Sequence, residues 1–302
     1  MQLSRIRWHA LAAAAACSLA GFGCSTADHG ASTAGDGGAS PTGDAPGARA
    51  DAASDAPGAT PGTKRGVAYS FKSAADLSAL GPEITWWYNW SDKPDVAATA
   101  PGFIPMVWNG NFTAAGLEAD VPADAKYLLG FNEPNFGAQA NMTPAEAAAK
   151  WPELQAFAQR RGMKLVSPAV NYCGGNCNET DPFVWLHKFF DACTDCQVDY
   201  VAMHWYACDR PAITSTVAKY EQQFGKPLWI TEMSCLDSPA KVNDTDELAY
   251  LKDAVDALES DPMVFRYAWF TGRSTGSPPI SLLAADGKLT ALGTAYAAAP
   301  HD

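Results

Sequence analysis

Two strings place a glutamate where an apolar run gives way to polar residues: Gly130-Phe131-Asn132-Glu133-Pro134-Asn135 and Leu228-Trp229-Ile230-Thr231-Glu232-Met233-Ser234. A carboxyl group at such a position is partly desolvated yet still faces a ligand. A single strand-end glutamate is ordinarily a loop carboxylate that caps a helix or pairs with arginine. Two of them point to sugar chemistry. Cleaving a glycosidic bond needs one carboxyl group that holds a proton for the departing oxygen and a second, ionised one that attacks or activates water. Asn132, directly before Glu133, adds an amide able to bond a sugar hydroxyl, and Trp229 and Met233 flank Glu232 with bulk that excludes water.

A sugar ring offers an apolar C–H face to aromatic side chains and a rim of hydroxyls to polar ones, which makes Trp87, Trp90, Trp108, Trp205 and Trp269 candidate platforms and Asn109 a candidate polar contact. Strand alternation turns Trp86, Tyr88 and Trp90 to one side and Trp87 and Asn89 to the other. Tyr206 can donate its hydroxyl to Glu232 and favour the carboxylate form of a nucleophile. His204 is read as a strand-end histidine beside the substrate, because none of the five histidines has a second one at metal-ligand spacing. The chain has no Gly-x-Ser-x-Gly elbow, no His-Glu-x-x-His pair and no phosphate loop, so serine or zinc hydrolysis is unsupported and no cofactor is expected.

Eight apolar, β-branched and aromatic segments read as strands: 66–71, 84–89, 102–108, 127–132, 164–170, 200–206, 227–231 and 266–270. Helical patterns separate most of them. The clearest spans 144–161 and begins with a Thr143-Pro144 cap and Glu146; others cover 182–191, 211–224 and 244–259. Continuous apolar strands alternating with helices imply a parallel sheet covered by helices, and eight such repeats imply a closed (β/α)8 barrel. An open doubly wound sheet is the alternative, although the first strand lacks a glycine-rich turn after it. In a barrel, Glu133 ends the fourth strand and Glu232 the seventh, across the mouth from each other.

The 302-residue chain divides by composition. Arg5 and Arg7 precede an apolar run over 10–22 that is too short to span a bilayer, so residues 1–24 read as an export signal. Cys24 stands where a bacterial lipoprotein would be cut and acylated, giving an extracellular or surface-anchored protein whose membrane contact is the lipid alone. Residues 25–63, almost entirely Ala, Gly, Ser, Thr, Pro and Asp, read as a disordered linker, leaving 64–302 as the catalytic domain. The net charge of −12 disfavours nucleic acid and anionic lipid but not a neutral polysaccharide. Six cysteines remain in the domain. Export favours three disulfides, and the preferred pairing among fifteen is Cys173 with Cys177, Cys193 with Cys196, and Cys208 with Cys235; the spacing of the first four also permits a zinc site.

Taken together, Trp87 to Trp90, Ile104 to Trp108, Gly130 to Asn135, Ser167 to Val170, Cys193 to Tyr206, Trp229 to Met233 and Tyr267 to Phe270 resemble, in order across 66–297, glycoside hydrolase family 128, endo-β-1,3-glucanases built on a (β/α)8 barrel. The resemblance implies that Glu133 is the acid/base, Glu232 the nucleophile, Asn132 a contact to the 2-hydroxyl and Tyr206 a partner of Glu232. The implied activity is retaining hydrolysis of β-1,3-glucan by a monomer. Another β-glycan such as mannan or xylan, or glucan binding without turnover, are the rival functions. Asn109 stands where the family commonly has glycine and Asn135 where it often has aspartate, departures that bear on cleft shape and endo action.

Overall fold

The computed structural model describes residues 63–96, 102–236, 242–275, 279–285 and 287–300. The expected export signal with Cys24, and the expected linker apart from Thr63, lie outside the described residues. Among the described residues, seven strands alternate with seven helices: β1 (Arg65–Ala68), α1 (Ala74–Ala79), β2 (Trp86–Tyr88), α2 (Ala114–Asp120), β3 (Tyr127–Leu129), α3 (Pro144–Arg161), β4 (Lys164–Val170), α4 (Pro182–Ala192), β5 (Tyr200–Trp205), α5 (Arg210–Phe224), β6 (Leu228–Met233), α6 (Asp244–Ser260), β7 (Val264–Trp269) and α7 (Ala291–Ala298). All strand pairs are parallel, in the order β2-β1-β7-β6-β5-β4-β3.

The segment 102–108, expected as a strand, is not one. It touches both free edges of the sheet through single bridges, Trp87 with Phe103 and Met106 with Leu129. Ile104 donates to Trp87 O, and Leu129 donates to Pro105 O, both at 2.9 Å. Pro105 has no N–H to give in return, which breaks a continuous ladder at that point.

Strand alternation sorts the side chains into two layers. Ala68, Trp86, Tyr88, Ile104, Met106, Leu129, Val166, Tyr200, Ala202, Trp229 and Ala268 form an inner cluster, whereas Val67, Trp87, Val107, Leu128, Leu165, Val201, Leu228 and Trp269 join the helices in an outer one. The floor of the inner layer is aromatic. Trp86, Tyr127, Trp229 and Phe265 surround the guanidinium of Arg266 with ring centres 5.0–5.8 Å away. Ligand access is thereby confined to the other end, where the strands finish.

The longest helices carry the signals that define them. Thr143 and Glu146 cap α3 reciprocally and Gly162 ends it at φ 64°. Asn243 and Asp246 form the same box on α6. The short helices α1, α2 and α7 were not expected from the sequence; each begins at a Ser or Thr cap and contributes only six to eight residues. Cysteines pair as Cys173–Cys177, Cys193–Cys196 and Cys208–Cys235, the last joining the chain just beyond β5 and β6.

Glu247 of α6 supports that junction. It is fully buried and one carboxyl oxygen accepts from Cys235 N at 3.1 Å, while the other has no partner. Burial pushes its pKa up to about 7, against the weaker opposing pull of the Cys235 amide. Because the folded value lies above the unfolded one, the stability contributed by this group is fully present below about pH 4.5 and is lost as pH rises to 7, at a cost of about 3 kcal/mol once the charge is carried. Glu247→Gln is therefore expected to raise Tm at pH 8 by roughly 6 °C and leave it nearly unchanged at pH 4.5, as read by thermal denaturation at the two pH values.

Candidate active site

Two local irregularities bring the glutamates inward. In β6, Ile230 belongs to the outer layer, so strict alternation would also turn Glu232 outward. The register between β5 and β6 shifts between Met203 opposite Ile230 and His204 opposite Glu232, leaving Thr231 extra. This bulge re-aims Glu232 to the inside beside His204. On the other strand, Leu129 is inner and Phe131 outer, and Asn132 pairs with Ala169. Gly130 permits that close passage, since a Cβ there would come within 2.9 Å of the backbone of Val166, Ser167 and Pro168. Glu133 follows at φ 40°, a left-handed conformation that a non-glycine residue adopts only when its surroundings enforce it. Its amide is fixed to Ala169 O at 2.8 Å.

The two side chains meet. One oxygen of Glu133, one of Glu232 and a ring nitrogen of His204 all lie within 4.8 Å of one another, and all three residues are buried. His204 Nδ1 sits 3.0 Å from Glu133 Oε1 and 3.5 Å from Glu232 Oε2. Burial pulls the imidazole pKa down, but the charge of Glu232, then the hydrogen bond and charge of Glu133, outweigh it and raise the value above the usual one. The ring nitrogen thus lies between the two carboxyl groups. Asn171 Nδ2 donates to Glu133 Oε1 at 3.3 Å.

Glu232 receives three further donors. Tyr88 OH reaches Oε1 at 2.9 Å, Trp90 Nε1 reaches the same oxygen at 2.7 Å, and Tyr206 OH bonds Oε2. Burial first, and then the charge of Glu232, push both phenols well above the ordinary tyrosine value, so they remain donors. A carboxylate ringed by donors has its lone pairs directed rather than free to rotate.

Asn132 is also buried, with Nδ2 donating to Gln139 Oε1 at 3.3 Å and Oδ1 without a partner. Beside these groups a cleft is lined by Trp90, Ser91, Asp92, Trp108, Asn109 and Asn111. Trp90, Trp108 and Asn109 therefore stand where they can meet a ligand. Trp87, Trp205 and Trp269, expected as platforms, do not. They are 1%, 7% and 0% exposed and belong to the outer layer, because their strand parity turns them toward the helices. The indoles of Trp205 and Trp269 donate to Ala207 O and Ile280 O instead.

Tyr88 and Gln139 were not expected as functional residues. Tyr88 shares inward parity with Trp90, which is a readable signal. Gln139 has none, since it returns to Asn132 through a loop closed by bonds from Ala140 N to Asn132 O and Met142 N to Pro134 O. Among the described residues, Glu133, His204 and Glu232 are also the group close enough to share a metal ion.

The chain matches the family model described as a glycosyl hydrolase catalytic core over residues 66–296. Among solved structures it is similar to a subgroup II endo-β-1,3-glucanase of glycoside hydrolase family 128 from Sorangium cellulosum, at 44% identity over 78% of this chain and 98% of that one, with a TM-score of 0.73. It is also similar to a subgroup I endo-β-1,3-glucanase of the same family from Amycolatopsis mediterranei, solved with laminaritriose, at 31% identity over 79% and 100% of the two chains and a TM-score of 0.64. A curated relative is Alkali-sensitive linkage protein 1 of Schizosaccharomyces pombe, 27% identical over 78% of this chain; the match spans 43% of that protein's length.

Proposed function

Because this chain belongs to the glycosyl hydrolase catalytic core family and, within it, to glycoside hydrolase family 128, we propose that it hydrolyses internal bonds of β-1,3-glucan with retention of configuration. The observation that carries this reading is the buried meeting of Glu133 and Glu232, one oxygen of each within 4.8 Å. That is nearer than the roughly 6.5–9.5 Å separation that leaves room for an attacking water between two carboxyl groups.

In the first step Glu232 attacks the anomeric carbon while Glu133 delivers its proton to the glycosidic oxygen, and the reducing-end part of the chain departs. In the second, Glu133 takes a proton from water, whose oxygen displaces Glu232 from the same carbon and restores the original configuration. His204 lies between the two carboxyl groups, and Tyr88, Trp90 and Tyr206 hold Glu232. Asn132 Oδ1, buried and unpaired, is completed by a sugar hydroxyl.

The choice of β-1,3-glucan rests on the relatives' activity and on the aromatic and amide lining of the cleft. The same reading takes the sheet, with 102–108 as its eighth stave, as a (β/α)8 barrel; the bridges that this segment makes to β2 and β3 support it. Export through residues 1–24 and acylation of Cys24 complete the proposal, since an enzyme for an insoluble polymer must meet it outside the cell. Reducing-sugar release from laminarin and curdlan, beside mannan and xylan, tests the substrate. Release from the first two is expected; release from mannan or xylan alone would contradict the assignment.

A further inference from the structure

Trp90 has a backbone conformation that a tryptophan rarely adopts. Its φ is 60°, in the left-handed region, where a bulky residue persists only if its surroundings enforce it. Asn89, directly before it and 8% exposed, supplies that enforcement with both ends of its amide: Oδ1 accepts from Ser91 N at 3.2 Å, and Nδ2 donates to Lys93 O at 3.0 Å. The side chain thereby spans Trp90 and closes the turn around it. The turn is anchored on either side, since Tyr69 N donates to Tyr88 O and Met106 N donates to Ser91 O, each at 2.9 Å.

What this frame holds is the indole. Trp90 Nε1 reaches Glu232 Oε1 at 2.7 Å, and the ring lies 5.4 Å from that of Tyr88 and 5.9 Å from that of Phe270. Trp90 packs against the inner layer, while Asn89 follows Trp87 in parity only at one remove, turned to the side away from the carboxylates. Both bonds of the Asn89 amide named above go to backbone groups.

We propose that Asn89 is a positioning residue for the nucleophile: its amide holds Trp90 in the left-handed conformation from which the indole N–H is aimed at Glu232. The inference rests on the nucleophile role given to Glu232 above and adds a residue that acts on it through another side chain. A hydrogen bond from an N–H to a carboxylate is strong only while donor and acceptor stay aligned. Without the bonds to Ser91 N and Lys93 O, Trp90 relaxes toward an ordinary φ, the indole swings off Oε1, and Glu232 loses part of the orientation that attack on the anomeric carbon requires.

The test is a double-mutant cycle read as kcat on laminarin, with circular dichroism to verify folding. Trp90→Phe, which keeps a ring but has no N–H, is expected to lower kcat by about tenfold or more, and Asn89→Ala by about tenfold. Asn89→Asp keeps the acceptor for Ser91 N and loses the donor to Lys93 O, so its rate should fall between those of Asn89→Ala and the unaltered enzyme. In the Trp90→Phe background there is no indole N–H left to aim, and adding Asn89→Ala should cost less than about twofold. A turn that serves folding alone would instead give the full product of the two losses. That result, or a Trp90→Phe enzyme at the unaltered rate, would overturn the proposal. If Asn89→Ala does not fold, Asn89→Asp takes its place in the cycle with the same expectation. Failure of the unaltered protein to act on laminarin is a separate result that would overturn the hydrolase reading and this inference with it.

Discussion

Glu232→Gln is expected to lower kcat/KM on laminarin by on the order of 10⁵-fold, the scale on which loss of a nucleophile is measured in other hydrolases and equivalent to about 7 kcal/mol of transition-state stabilisation. The amide is nearly the same size, so the domain should remain folded, but it has no anionic oxygen to bond the anomeric carbon. It also fits its surroundings poorly. Tyr88, Trp90 and Tyr206 all direct protons at this position, and an NH2 group would face at least one of them donor to donor. Initial rates of reducing-sugar release, with circular dichroism to verify folding, provide the measurement. Turnover within about tenfold of the unaltered enzyme would contradict the assignment.

Glu133→Ala is expected to behave differently according to the substrate. On laminarin the leaving group is a sugar alkoxide that cannot depart without a proton, and the loss should be about 10²–10⁴-fold, the usual contribution of a general acid. On an aryl laminaribioside with an acidic phenol the first step needs no proton, so the glycosyl-enzyme should form and then persist, because no base remains to activate water. Added azide, an anion that needs no base, should then accelerate turnover and yield a β-glycosyl azide. Equal loss on both substrates without azide rescue would remove Glu133 from the acid/base role.

Much of this arrangement is legible in the sequence because its causes are local. The continuous apolar strands, the Thr143 and Glu146 capping pair and the proline at the start of α4 are set by neighbours a few residues away. The position of Glu133 and Glu232 at the ends of apolar runs is of the same kind. What strand periodicity cannot convey is the register between strands far apart in sequence. The extra Thr231, which turns Glu232 inward, exists only relative to β5, and the close passage at Gly130 exists only relative to β4. The tryptophans show both sides of this limit. Parity separates buried Trp87 from Trp90, but nothing near Trp90 announces that its indole crosses the mouth to a carboxylate 142 residues later. Likewise, the apolar pattern of 102–108 reads as a strand until Pro105 is asked to donate a hydrogen bond.

The most direct measurement of the central claim is covalent trapping. A 2-deoxy-2-fluoro-laminaribiosyl fluoride, whose fluorine slows both steps while its good leaving group lets the first proceed, should inactivate the enzyme with one glycosyl unit attached, and peptide mass spectrometry should locate that unit on Glu232. A first hydrolysis product observed by NMR as the α-anomer, with no adduct on Glu232, would show that water attacks directly and would contradict the account.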